Sequence, residues 1–182
     1  MFTKAQFFVD GNSFGMYYYI VSFEHGAQNK FHPCSKENFM EKLLISACLL
    51  GVSCRYDGKS KPLSGIERLF EKYELIPVCA EIFGGLPTPR VPAEISGEKV
   101  LTSDGRDVTA EYLKGAEEVL RLGKIFGAKK ALLKERSPSC GSGIIHNGKF
   151  DGGLVPGFGK TAALLLENGF MVFGESQIEE LL

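Results

Sequence analysis

The chain has no charge excess to offer a polyanion. Its 21 Lys and Arg stand against 22 Asp and Glu, a formal balance of −1. That balance gives no electrostatic case for a nucleic acid polymer or an anionic membrane surface. No apolar run approaches the length of a membrane span. No CxxC pair occurs either, which weakens a zinc site built from paired knuckles and argues against thioredoxin-like exchange. The opening MFTKAQFFVDGNSFG is broken by Asp10, Gly11 and Asn12, so it does not read as a secretory signal. The five cysteines are an odd number at wide, irregular gaps. A reducing cytoplasm is therefore expected rather than a disulfide framework.

What is present is an ordinary globular composition. A chain of 182 residues, 44% hydrophobic and 24% charged, suits one domain with a proper core. Residues 1–39 differ from the rest in their dense aromatic load, from Phe2, Phe7 and Phe8 to Tyr17, Tyr18 and Tyr19. MYYYIVSF has the make-up of one strand, but it has no partner pattern nearby and no clear helical period. Met40 is the expected natural start, with residues 1–39 a non-native or poorly ordered extension. Lys36-Glu37 can be encoded by AAG GAG, a ribosome-binding sequence, with only Asn38 and Phe39 before Met40. A real edge hairpin is the alternative. Cys34 falls in this segment and is not counted as functional.

From Met40 strands alternate with helices. KLLISA (42–47), ELIPV (74–78), KKALLK (129–134) and FMVFG (170–174) are apolar runs of strand length. Helices are expected over 62–73, 107–127, 159–169 and 176–182. In the longest, Thr109 is the candidate N-cap and Val108, Tyr112, Ala116, Val119, Leu120 and Phe126 form the apolar face. The proline-rich stretch 78–95 is expected to be a rigid loop without regular structure. The pattern predicts an α/β fold: a mostly parallel sheet with helices on both faces, a Rossmann-like three-layer arrangement.

Ligands in such sheets sit beyond the carboxyl ends of the strands. Cys48, Cys79 and Cys140 each follow a strand, and Cys54 lies in the loop after Cys48. All four are expected at the C-terminal strand edge, where thiolates from dispersed positions can hold a metal or an iron–sulfur cluster. Buried core thiols are the alternative. In CGSG (140–143), glycines such as Gly141 would let backbone N–H groups approach cluster sulfurs. Glu81 is a candidate general acid or base, or a surface carboxylate. Arg90 either orients a substrate or pairs with a loop carboxylate. Ser137 and Ser139 either bond a substrate or cap a turn. His146, at the tip of an expected hairpin, reads as facing solvent. GFGKT (157–161) is not a phosphate loop, because the required earlier glycine is Leu154, although its helix N-terminus has the means to hold an anion.

Four ordered motifs, SACLLGVSCRYDG, VCAEIFGGLPTPRVPAEI, LLKERSPSCGSG and GFGKTAALLLENG, resemble the bacterial family typified by thiouracil desulfurase. The resemblance runs from about Met40 to Gly174. It implies a [4Fe–4S] cluster held by only three cysteines, whose fourth iron takes the sulfur of a small thiolated nucleobase. Water then replaces that sulfur and sulfide leaves without net redox change. Carried onto this chain, it points to Cys48, Cys79 and Cys140 as ligands. Cys54 also matches, and spacing does not say which three of the four bind iron. It makes Glu81 the residue that activates water, with Ser137 and Ser139 holding the substrate. One departure is Ala80, where the family usually has proline. A monomer or homodimer is expected. The competing classes are a non-catalytic iron–sulfur or zinc protein and an electron-transfer module, the latter favoured if Cys54 is a fourth ligand.

Overall fold

The computed structural model describes residues 40–182, so the expectations for residues 1–39 lie outside the described residues. Four parallel strands form the central sheet: β1 (Glu41–Ser46), β2 (Tyr73–Val78), β5 (Lys130–Leu133) and β8 (Met171–Gly174). Their spatial order is β2-β1-β5-β8. The chain thus steps from β1 to one side, then crosses back to the other, and the switch point lies between β1 and β5.

Alternation along the strands sorts side chains onto the two faces. Leu44, Ala131 and Leu133 join Val119, Ala162 and Leu165 on one face. Leu43, Ile45 and Leu132 join Leu49, Leu69 and Leu181 on the other. Full burial of each such leucine contributes about 1.5–3 kcal/mol. Two α-helices, α2 (Thr109–Phe126) and α3 (Lys160–Glu167), cover the first face. Tight 3₁₀ segments, Ala47–Leu50, Ile66–Glu71 and Glu175–Leu181, cover the second. The three-layer α/β expectation holds, but the helices expected at 62–73 and 176–182 are short 3₁₀ turns. Only Leu69 of the first and Leu181 of the second are buried, too little apolar face to sustain a full α-helix.

Thr109 is the first residue of α2 rather than its N-cap, a position Val108 holds, and Asp107 Oδ1 just before it takes the Thr109 N–H at 3.1 Å. Phe126 is exposed rather than on the buried face. The stretch 78–95 is not free of regular structure. It contains a one-turn helix, α1 (Ala80–Phe83), and strand β3 (Ala93–Ser96), which pairs antiparallel with β4 (Lys99–Thr102). Its prolines fall between these elements, at 87, 89 and 92. A second hairpin joins β6 (Ile144–His146) to β7 (Leu154–Pro156).

Candidate active site

Three strand ends converge on one cavity of about 340 Å³. Cys48 sits in the turn after β1, Cys79 directly after β2, and Cys140 in the loop after β5. All three line the cavity, and so does Cys54. Cys48, Cys54 and Cys140 are buried and Cys79 is half-buried; all four are free thiols. The Cys79 thiol lies 3.9 Å from the Cys54 carbonyl. The neighbouring Cys48 pushes the Cys54 thiol up, and contact with Cys54, then burial, pushes Cys79 up. Burial pushes Cys140 up to about 12.

Glu81, in α1, is fixed at both oxygens. Arg90 donates from Nε to Oε2 at 2.7 Å, with its Nη2 at 2.6 Å from the same atom. The Ser137 hydroxyl donates to Oε1 at 3.3 Å. This pair is largely buried, with 6% of the Arg90 side chain and 14% of the Glu81 side chain exposed. Arg90 also donates to the carbonyls of Cys54 and Pro87 and to the Thr88 hydroxyl. It therefore pairs with a loop carboxylate, the second of the two roles open to it, and knits the Cys54 turn to the loop after α1.

Close approach of two glycines places α1. A Cβ on Gly115 of α2 would meet the Ala80 carbonyl at 1.9 Å, and one on Gly84 would meet the Glu111 carbonyl at 2.0 Å. Only bare backbone lets α1, and with it Glu81, press this tightly on α2.

The loop carrying Cys140 is self-braced. Ser137 Oγ accepts the N–H groups of Ser139 and Cys140, at 3.0 and 3.1 Å. Ser139 is fully buried, its hydroxyl 2.9 Å from that of Thr161, and it does not line the cavity. It therefore supports the loop, because burial keeps it from substrate. The Gly141 N–H donates to the Ser137 carbonyl at 2.8 Å, so it is not free for a cluster sulfur. The anion-holding option at GFGKT also closes. The N–H groups of Lys160, Thr161 and Ala162 are committed to the carbonyls of Pro138 and Ser139.

Two wall residues were not read as part of the site. Glu94 of β3 is buried and lines the cavity, and His146 of β6 lines it while staying partly exposed to solvent. Neither has a local signal, because the packing of two hairpins brings them together. Tyr112 of α2 completes this side, its hydroxyl pushed up by burial.

The donor set fits a cluster better than a single ion. Among the described residues no three His, Cys, Asp or Glu side chains close on one point as a lone metal requires. Several thiols spaced around a shared cavity suit the larger body of an iron–sulfur cube.

Residues 43–177 match the 2-thiouracil desulfurase family. The chain belongs to that family. A second member-like relative is the uncharacterized protein YbbK of Bacillus subtilis, 41% identical over 150 residues, which cover 77% of this chain and 99% of YbbK. Among solved structures, the [4Fe–4S]-dependent thiouracil desulfidase TudS is similar, at 51% identity and a TM-score of 0.74. That match covers 78% of this chain and 95% of TudS. Within the 2-thiouracil desulfurase family match lie all four cavity cysteines, Glu81, Arg90 and Ser137.

Proposed function

We propose that this chain is a [4Fe–4S]-dependent desulfurase that replaces the sulfur of a small thiolated nucleobase by oxygen. The observation that carries this reading is one cavity lined by Cys48, Cys79, Cys140 and a braced Glu81. The family membership and the likeness to TudS support it. Cys48, Cys79 and Cys140 would hold the cluster, one from each of three strand ends. When bound, the cluster supplies an open iron that acts as a Lewis acid toward the substrate sulfur.

The chain's own residues do the rest. Glu81 accepts the proton of the attacking water at a carboxylate oxygen. Arg90 and Ser137 keep that carboxylate in one orientation, which a free surface glutamate would lack. The balance is thiocarbonyl plus water giving carbonyl plus hydrogen sulfide, with no electron gained or lost. Thiols poised for iron suit a reducing compartment, in keeping with cytoplasmic residence.

The test is sulfide release from 4-thiouracil by the anaerobically loaded protein and its Glu81→Gln variant. The variant is expected to keep its iron and lose about 10²–10⁴-fold in turnover. A variant that desulfurates at the wild-type rate refutes the role of Glu81. A variant that loses iron with activity favours a cluster-holding role for this corner, and with it the non-catalytic alternative.

A further inference from the structure

The geometry points to Glu94 and His146 as a carboxylate–imidazole pair that reads a ring N–H of the substrate, His146 by contact and Glu94 by positioning. This rests on the desulfurase reading above. Both side chains line the cavity that holds the cysteines. His146 lies outside the cysteine motifs, Glu94 sits near the end of the one that carries Cys79, and neither takes part in the Glu81–Arg90–Ser137 network.

The pair is built by the docking of two hairpins. Glu94 Oε2 accepts the N–H of Phe150, at 3.1 Å, from the turn between β6 and β7. Phe150 is a non-glycine residue at φ 57°, in the left-handed region, so the turn is bent at some cost to deliver that N–H. At the same contact a Cβ on Gly148 would meet the Ile95 carbonyl at 2.5 Å, so the turn lies directly on β3. One carboxylate oxygen is thereby fixed and the other, Oε1, is aimed at His146.

His146 Nδ1 lies 3.9 Å from Oε1, beyond hydrogen-bond length. This nitrogen is buried and has no hydrogen-bond partner among the described residues. A buried polar atom left unpaired needs an explanation, and a pair that tightens when substrate fills the cavity supplies one. The ring as a whole is open, with 36% of the side chain exposed. Its remaining nitrogen, Nε2, is the edge available to a ligand. With the Nδ1 proton turned toward Glu94, Nε2 of the neutral ring is an acceptor. An acceptor in a cavity wall selects a ligand with a ring N–H, and a thiolated pyrimidine carries one beside its carbonyl or thiocarbonyl. A site built to accept such a hydrogen rejects the analogue that lacks it.

The test measures anaerobic binding of uracil, 1-methyluracil and 3-methyluracil to the cluster-loaded full chain by calorimetry. One of the two methyl compounds is expected to bind wild type about tenfold to a hundredfold more weakly than uracil. That comparison needs no variant. His146→Phe is expected to weaken uracil by a similar factor and to bind all three compounds alike. Glu94→Gln, with iron content and Tm checked, is expected to raise KM for 4-thiouracil more than it lowers kcat and to narrow the methyl discrimination. Wild type that binds the three compounds equally, or binds none, overturns the inference. So does a His146→Phe protein that keeps the wild-type preference. Because the methyl comparison and the His146→Phe variant are read by binding, without turnover, those outcomes are separate from the desulfurase reading, which fails if loaded wild type releases no sulfide from thiolated bases.

Discussion

Cys54 poses the sharpest residue-scale question, because it lines the same cavity as the three proposed ligands. Its carbonyl accepts Arg90 Nη2 at 3.1 Å and lies near the Cys79 thiol, so its backbone already has a bracing task. Cys48, Cys79 and Cys140 instead come one from each of three strand ends. We expect Cys48→Ser, Cys79→Ser and Cys140→Ser to empty the protein of iron, from about four per chain to near none. Cys54→Ser is expected to keep most of it. Iron and acid-labile sulfide analysis of the four variants decides the set, and loss of iron from Cys54→Ser would move the protein toward a fully ligated, electron-transfer centre. The cysteines and Glu81 were legible in the sequence because a strand-end position is a local pattern. The buried Ser139 and the Glu94–His146 pair were not, because each depends on what a distant segment packs against it.

At the scale of elements, the site hangs on the seam between α1 and α2. Gly115 is a poor helix residue, and alanine would ordinarily improve an exposed helix. Here a Cβ would collide with the Ala80 carbonyl. Gly115→Ala is expected to destabilise the fold by about 1–3 kcal/mol and to lower activity further by displacing Glu81. Thermal unfolding together with sulfide release checks both, and a stabilised, fully active variant would contradict the packing argument. The start of α2 gives a pH prediction. Its Thr109 hydroxyl, the largest cause, then its N–H, hold Asp107 down from an ordinary 3.8 to about 2. A depressed carboxylate contributes stability above its unfolded value and loses it as pH falls through the folded one. The Tm gap between wild type and Asp107→Ala is therefore expected to be present at pH 7 and to close between about pH 4 and 2. The central strands were readable because each sits in a continuous apolar run, and α2 because its helical period is sustained over 18 residues. The three- and four-residue strands of the two hairpins, and the single turn of α1 among prolines, are too short to carry a period.

For the molecule as a whole, the strand order matters most. The switch point between β1 and β5 opens the sheet edge where three loops meet, which is where an α/β sheet accommodates a ligand. The same loops are tied to the frame beneath. Lys134 pairs with Glu175 at 2.7 Å, and the Lys134 N–H reaches the Ser46 hydroxyl at 2.9 Å. No helix among the described residues is long and apolar enough to cross a membrane. A frame of this kind can keep three dispersed thiols at fixed spacing around one cluster while leaving the cavity open to a small base. The most direct test is to incubate the anaerobically purified full chain, its iron and sulfide content known, with 4-thiouracil and to quantify uracil and sulfide. The account predicts equal amounts of both, in proportion to cluster content, with activity and visible colour lost together on exposure to air. Fully loaded protein that forms neither product from any thiolated pyrimidine would contradict it.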